Sequence, residues 1–146
     1  MTQTTAAAGN WLKAILNATP IANLLDNAAS GPLTNLYISL HTASPGLTGN
    51  QTTNEAAYPT YGRVAVTRNN GSPGWTITGN AAVPISTITF PTSTGSPSET
   101  ETYMGIGSAT SGAGVLYWYG SISPTIAVTS AGVTPTLTTA TTITGT

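Results

Sequence analysis

One hexapeptide decides the fold class of this chain: residues 36–41 read Leu-Tyr-Ile-Ser-Leu-His. Aliphatic side chains occupy every second position, at Leu36, Ile38 and Leu40. Successive side chains of a β-strand point to opposite faces, so a period of two predicts a strand with one buried face. This segment therefore indicates a β fold, and the flanking sequence decides how far that fold extends.

Similar short segments recur towards the C-terminus, separated by the Gly, Pro, Asn and Ser residues that are typical of turns. The predicted strands are 36–41, 61–68, 75–78, 85–90, 100–107, 115–122, 126–128, 134–137 and 141–144. Short strands at regular spacing favour a mainly β protein with an antiparallel β-sandwich or jelly roll. The aromatic run 117–119 places large rings on both faces, which predicts a central strand.

The N-terminal segment differs, because its apolar residues follow a helical period. Within residues 6–18 they share one helical stripe, formed by Trp11, Leu12, Ile15 and Leu16. Pro20 suits the first turn of a second short helix over residues 21–28. We therefore predict a helical arm at 1–31 and a jelly-roll-like β domain at 32–146.

Charge is scarce: three basic and four acidic residues make up 5% of the 146 residues, where soluble domains carry about 25%. Three cations cannot follow a phosphate backbone, which argues against a nucleic-acid partner. The absence of cysteine excludes disulfides and cysteine-based zinc sites. Apolar runs are too short for a membrane span, and the first residues do not resemble a secretion signal. We expect no cofactor, no metal and no membrane partner.

Few residues could carry acid–base chemistry. His41 is the single histidine and ends a predicted strand, so we interpret it as a hydrogen-bonded structural residue and not as a catalytic base. Glu99 and Glu101 fall on one strand face; such pairs can hydrolyse glycosides, but they also protect exposed faces from association, and we favour the structural role. Gly105-Ile106-Gly107 lies within a strand and is no dinucleotide motif. No catalytic residue is predicted.

Two regions could contact a partner. The helical stripe could bind another molecule or could equally cover one end of its own domain. The loop 42–60 is long enough to be functional or mobile. Tyr58, Tyr61 and Trp75 could stack on sugars, although core packing is favoured for Trp75. The candidate interaction residues are Trp11, Leu12, Ile15, Leu16, Tyr58 and Tyr61.

Several strings together resemble a known family. They are Leu36 to Gly46, which contains Leu-His-Thr-Ala-Ser-Pro, then Tyr61-Gly62-Arg63, Tyr103 to Gly107 and Gly114 to Gly120. The chain is similar, over residues 36–138, to small virion proteins of tailed bacteriophages that carry a Leu-His-Thr-Ala-x-Pro signature. Members are often labelled tail-fibre-like, and some are capsid cement, or decoration, proteins with a jelly-roll-like fold.

The resemblance implies a virion structural protein and no enzyme. Our first expectation is a capsid cement protein that binds the major capsid protein on the outer capsid surface and self-associates as a homodimer or homotrimer. The alternative is a tail-fibre or receptor-binding component of the virion. A glycan hydrolase that uses Glu99 and Glu101, or an ordinary soluble monomer, is the weaker interpretation. A nearly uncharged surface suits association, because it has little self-repulsion.

Overall fold

A computed structural model describes residues 5–20 and 33–144 of the chain. This part contains one helix, α1 (Thr5–Leu16), followed by nine strands. The strands are β1 (Asn35–His41), β2 (Val64–Thr67), β3 (Trp75–Thr78), β4 (Ala81–Pro84), β5 (Ile88–Thr89), β6 (Glu99–Gly107), β7 (Leu116–Val128), β8 (Thr136–Leu137) and β9 (Ile143–Thr144). The predicted mainly β class, with a short N-terminal helix, is confirmed.

The strands form three sheets in the described chain. Their orders are β2-β1-β6-β7, β3-β4-β9 and β5-β8. The pairs β1–β6, β6–β7, β3–β4 and β4–β9 are all antiparallel. The arrangement of these sheets as a sandwich or jelly roll stays a prediction, as does the division into an arm and a β domain at residue 31. The predicted helix at 21–28 lies outside the described residues.

Two strands depart from expectation. β4 was not predicted, because Ala81–Pro84 contains little of the β-branched pattern that marks strands. β7 is one continuous strand of 13 residues where two were predicted. It also lies at the edge of its sheet, so the prediction of a central strand was wrong. Aromatic residues favour strands in general, and here Tyr117 keeps 42% of its surface exposed.

One compact unit comprises 1–35, 66–88 and 137–146. In its described part, α1 packs on β3 and β4 and buries its aliphatic stripe with the indole of Trp75. A Cβ on Gly9 would lie 2.0 Å from the carbonyl oxygen of Gly79, so glycine allows the helix to approach the β3–β4 turn. Arg68 donates to the carbonyl oxygens of Ala14 and Ile15 and thereby satisfies the C-terminal end of the helix.

The other unit comprises 36–65 and 89–136 and holds most of the four-stranded sheet. Ile38 and Leu40 lie directly opposite Ile106 and Met104 and form its apolar face. The second face was expected to be open, yet every residue of 38–41 is buried. It is covered by the loop 42–60, whose polar contacts form the candidate site below.

Candidate functional site

His41 is the last residue of β1 and is fully buried. Its Nδ1 lies 2.9 Å from the carbonyl oxygen of Thr53, and its Nε2 lies 2.8 Å from Ser39 Oγ. Because a carbonyl only accepts, Nδ1 carries the proton and Nε2 accepts from the Ser39 hydroxyl. Burial lowers the pKa of His41, against the effect of the Thr53 hydrogen bond, which favours a neutral imidazole. The prediction that His41 is a hydrogen-bonded residue at the end of a strand is confirmed.

Arg63, one residue before β2, joins three segments of the chain. Its Nε and Nη2 donate to the two carboxylate oxygens of Glu55 at 2.6 and 2.8 Å. Its Nη1 donates to the carbonyl oxygen of Ala109 at 2.9 Å, and Nη2 also donates to that of Gly112 at 2.8 Å. The hydroxyl of Tyr61 donates to Glu55 at 3.1 Å. With the Arg63 side chain only 2% exposed, this bidentate pair fastens two loops to the sheet.

Gln51 places an amide over β6 and is itself fully buried. Its Nε2 donates to the carbonyl oxygen of Tyr37 at 3.3 Å, and its Oε1 accepts from the backbone N–H of Ala109 at 2.9 Å. A Cβ on Gly107 would lie 2.1 Å from Gln51 Cδ, and one on Gly105 would lie 2.8 Å from the buried imidazole. Gly107 therefore leaves the room that the Gln51 amide of the loop occupies, and Gly105 leaves room for the imidazole of His41 on β1.

Replacement of Gly107 by alanine tests this packing. We expect Gly107→Ala to lower the free energy of unfolding by about 1–3 kcal/mol, because the added methyl group displaces the buried Gln51 amide. Gly120→Ala is the matched control: Gly120 also lies in a strand of this sheet, but nothing lies within 4 Å of its added Cβ. Urea unfolding of both variants measures the difference, and equal midpoints for the two would contradict the packing argument.

Glu99 and Glu101 lie on one face of β6, as predicted, but they do not protect an exposed face. Oε1 of Glu99 accepts from the backbone N–H groups of Ala57 and Tyr58, at 2.8 and 2.6 Å. Glu101 is fully buried, and neither of its oxygens accepts a hydrogen bond. Burial, followed by the influence of the neighbouring Glu99 carboxylate, raises the pKa of Glu101 to about 8. Glu99 thus serves the attachment of the loop through Ala57 and Tyr58.

The arrangement includes a hydroxyl group hydrogen-bonded to an imidazole, as some catalytic sites do, but both groups are buried. Ser39 and His41 are hydrogen-bonded as a nucleophile and a base would be, yet both are 0% exposed. Within the described residues no group of three acidic or histidine side chains could hold a metal ion. No helix in that part of the chain has the length and apolar character to cross a membrane. What the site does show is a set of hydrogen bonds and one ion pair that hold the loop 42–60 against the sheet.

The predicted interaction residues differ in exposure. Leu12, Leu16 and Tyr58 are at most 1% exposed, and burial raises the pKa of Tyr58 to about 12. Ile15 and Tyr61 are half-buried, and Trp11 is 37% exposed. That these six residues contact a partner stays a prediction. Trp75, considered for sugar stacking, is fully buried, which confirms the core packing that was favoured for it.

The sequence did not identify three large apolar side chains that are exposed to solvent. Leu47, in the loop 42–60, is 95% exposed, and Val115 and Tyr117 are 59% and 42% exposed. Leu47 follows Pro45-Gly46, a turn signal that places the next side chain at a loop tip. Val115 and Tyr117 are typical strand residues, and only the order of strands in the sheet shows that they lie at an edge.

The chain was also compared with known proteins. A family model described as podophage GP4 fiber I protein gp80 matches residues 11–144. No curated protein matches the chain. The family match confirms the predicted link to phage virion proteins, and it supports the fibre alternative better than the capsid cement interpretation. Since the match covers nearly the whole chain, this protein belongs to the podophage GP4 fiber I protein gp80 family, a family of phage virion fibre proteins.

Proposed function

We propose that the protein is a non-enzymatic structural subunit of a tail fibre of the virion. The family match supports this, together with one observation: five of the six charged side chains in the described part of the chain are bonded to, or buried in, the protein itself. Glu55, Arg63, Arg68 and Glu99 all bond to other parts of the chain, and Glu101 is buried. A surface with little formal charge suits a subunit that packs against neighbouring subunits, where unpaired charges would be costly to desolvate.

The outward positions of the strands carry neutral hydrogen-bonding side chains instead. Threonine and serine occupy exposed positions on six strands, at Thr76, Thr78, Thr89, Thr100, Ser121, Ser123, Thr125, Thr136 and Thr144. Hydroxyl groups provide donors and acceptors without charge, so contacts made through them depend little on salt. This supports a structural subunit over a receptor-binding one, since two of the three aromatic side chains considered for sugar stacking, Tyr58 and Trp75, are buried.

The location of the protein on the virion tests the proposal. Gold-labelled antibody fragments against the purified chain, viewed on intact virions by negative-stain electron microscopy, are expected to decorate the tail fibres. Densitometry of virion proteins on a gel is expected to show a few to tens of copies per particle. Label spread over the capsid shell, with hundreds of copies, would instead establish the cement role and a contact with the major capsid protein.

A further inference from the structure

β7 ends the four-stranded sheet, and β6 is its one neighbour among the described strands. Its register with β6 shifts twice: at Tyr117, between Gly107 opposite Leu116 and Ile106 opposite Trp118, and again beyond Ser121, so that Glu101 lies opposite Ile126. Residues 122–125 therefore leave the ladder, and Pro124 among them has no N–H to donate. We call the segment 116–121, which has one register irregularity at Tyr117, the β7 edge.

The β7 edge lacks charged residues and proline, two of the usual protections of a terminal strand, and its one irregularity is the register shift at Tyr117. Natural edge strands are kept from pairing by charged residues, above all lysine, by proline, or by being very short. The β7 edge reads Leu-Tyr-Trp-Tyr-Gly-Ser, without charge or proline, and has the length of an ordinary strand. Val115 and Tyr117 add exposed apolar surface at 59% and 42%. Among the described strands, none pairs with its outward backbone groups.

The absence of charged residues on the β7 edge indicates what kind of partner could pair with it. Glu101 is the last charged residue of the chain, so all residues from 102 to 146 are uncharged. A basic or acidic partner would find no counter-charge on the β7 edge, and its own charges would lose water without compensation. A second β7 edge is neutral as well, and two such edges related by a twofold axis form an antiparallel pair in which each copy offers the same groups.

We propose that two copies of this chain associate through their β7 edges, so that the two four-stranded sheets continue across a twofold axis as one eight-stranded sheet. The interface combines backbone hydrogen bonds with the contact of aromatic rings that are half-exposed in one copy. The proposal does not rest on the fibre function, because a dimer of this kind could serve on any part of the virion.

Sedimentation equilibrium of the full chain tests the dimer. Between about 1 and 100 μM, a range in which weak and moderate associations are populated, the expected mass rises towards twice the 14.7 kDa of one chain. Tyr117→Lys is expected to weaken dimerisation tenfold or more, by about 1.4 kcal/mol at least, because it places a charged side chain, which is costly to desolvate, at the pairing edge. Ala65→Lys is the matched control, because Ala65 is exposed on β2 at the other edge of the sheet. It is expected to leave dimerisation unchanged.

Cysteine cross-linking provides a second test that does not depend on a lysine variant folding well. The chain has no cysteine, so single substitutions Tyr117→Cys, Tyr119→Cys and Ser121→Cys each introduce one thiol. In a twofold antiparallel pair, only the position nearest the axis brings two copies of one thiol within disulfide distance. We expect one of the three to form a disulfide-linked dimer under mild oxidation, and Ala65→Cys to form none.

Three results would overturn the proposed dimer. A wild-type mass of one chain at every concentration would overturn the proposal, as would equal weakening by Tyr117→Lys and Ala65→Lys. Cross-linking that is no faster at the β7 edge than at Ala65 would overturn it too. Failure here leaves antibody labelling of the virion unaffected, so the proposed fibre function and the proposed dimer are tested separately.

Discussion

Arg63→Ala is expected to lower the free energy of unfolding by about 3–5 kcal/mol, the usual cost of removing one partner of a buried ion pair. The guanidinium is 2% exposed, and its four hydrogen bonds reach Glu55, Ala109 and Gly112. Its loss leaves the Glu55 carboxylate, which is 16% exposed, without its counter-charge. It also leaves two loop carbonyl groups without a donor. Thermal or urea unfolding at pH 7 measures the change.

Three further variants define the cause of that loss. Arg63→Lys keeps the charge but not the planar fork, so we expect an intermediate loss. In the double variant with Glu55→Gln, the two losses should be less than additive, since both remove one pair. Lys13→Ala, at an exposed helical position, should change stability by no more than about 0.5 kcal/mol. An Arg63→Ala protein as stable as Lys13→Ala would show that the pair does not hold the loop.

Local patterns were sufficient to predict much of the fold. The alternation in β1 and the helical stripe of α1 are properties of consecutive residues, and both elements formed where they were predicted. The second buried face of β1 could not be predicted in this way. It depends on Gln51 reaching Ala109, which lies 58 residues along the chain, and on Arg63 reaching Ala109, 46 residues along. Such contacts leave no period in the sequence.

Two small signals did point to the site. Gly105 and Gly107 weaken a strand unless another part of the protein approaches closely, so paired glycines in β6 indicated a packed face. The scarcity of charge was a second signal. In a chain with so few ionisable groups, Glu55 and Arg63 form a buried ion pair that neutral residues could not reproduce. The sequence could not show which of these groups pair.

The raised pKa of Glu101 makes the free energy of unfolding fall as the pH rises, which is the opposite of the usual effect of a carboxyl group. The folded pKa of Glu101 is about 8, whereas the ordinary value is 4.5. Below pH 4.5 the group is protonated in both the folded and the unfolded chain, so it carries no penalty. Between pH 4.5 and 8 the unfolded chain releases the proton and the folded chain retains it, so the free energy of unfolding falls as pH rises. Above pH 8 the full penalty is present.

Glu101→Gln should remove this dependence, because an amide of nearly the same shape remains neutral throughout this pH range. We expect the free energy of unfolding of the variant to equal that of the wild type near pH 4. At higher pH the variant should be the more stable protein, by about 1.4 kcal/mol for each pH unit and by at most about 5 kcal/mol at pH 8. Titration of His41 affects both proteins alike and cancels in the comparison. Glu99→Gln should retain most of the wild-type slope, since burial is the largest cause of the shift. Parallel stability curves for wild type and Glu101→Gln from pH 4 to 8 would show that Glu101 is ionised in the folded protein.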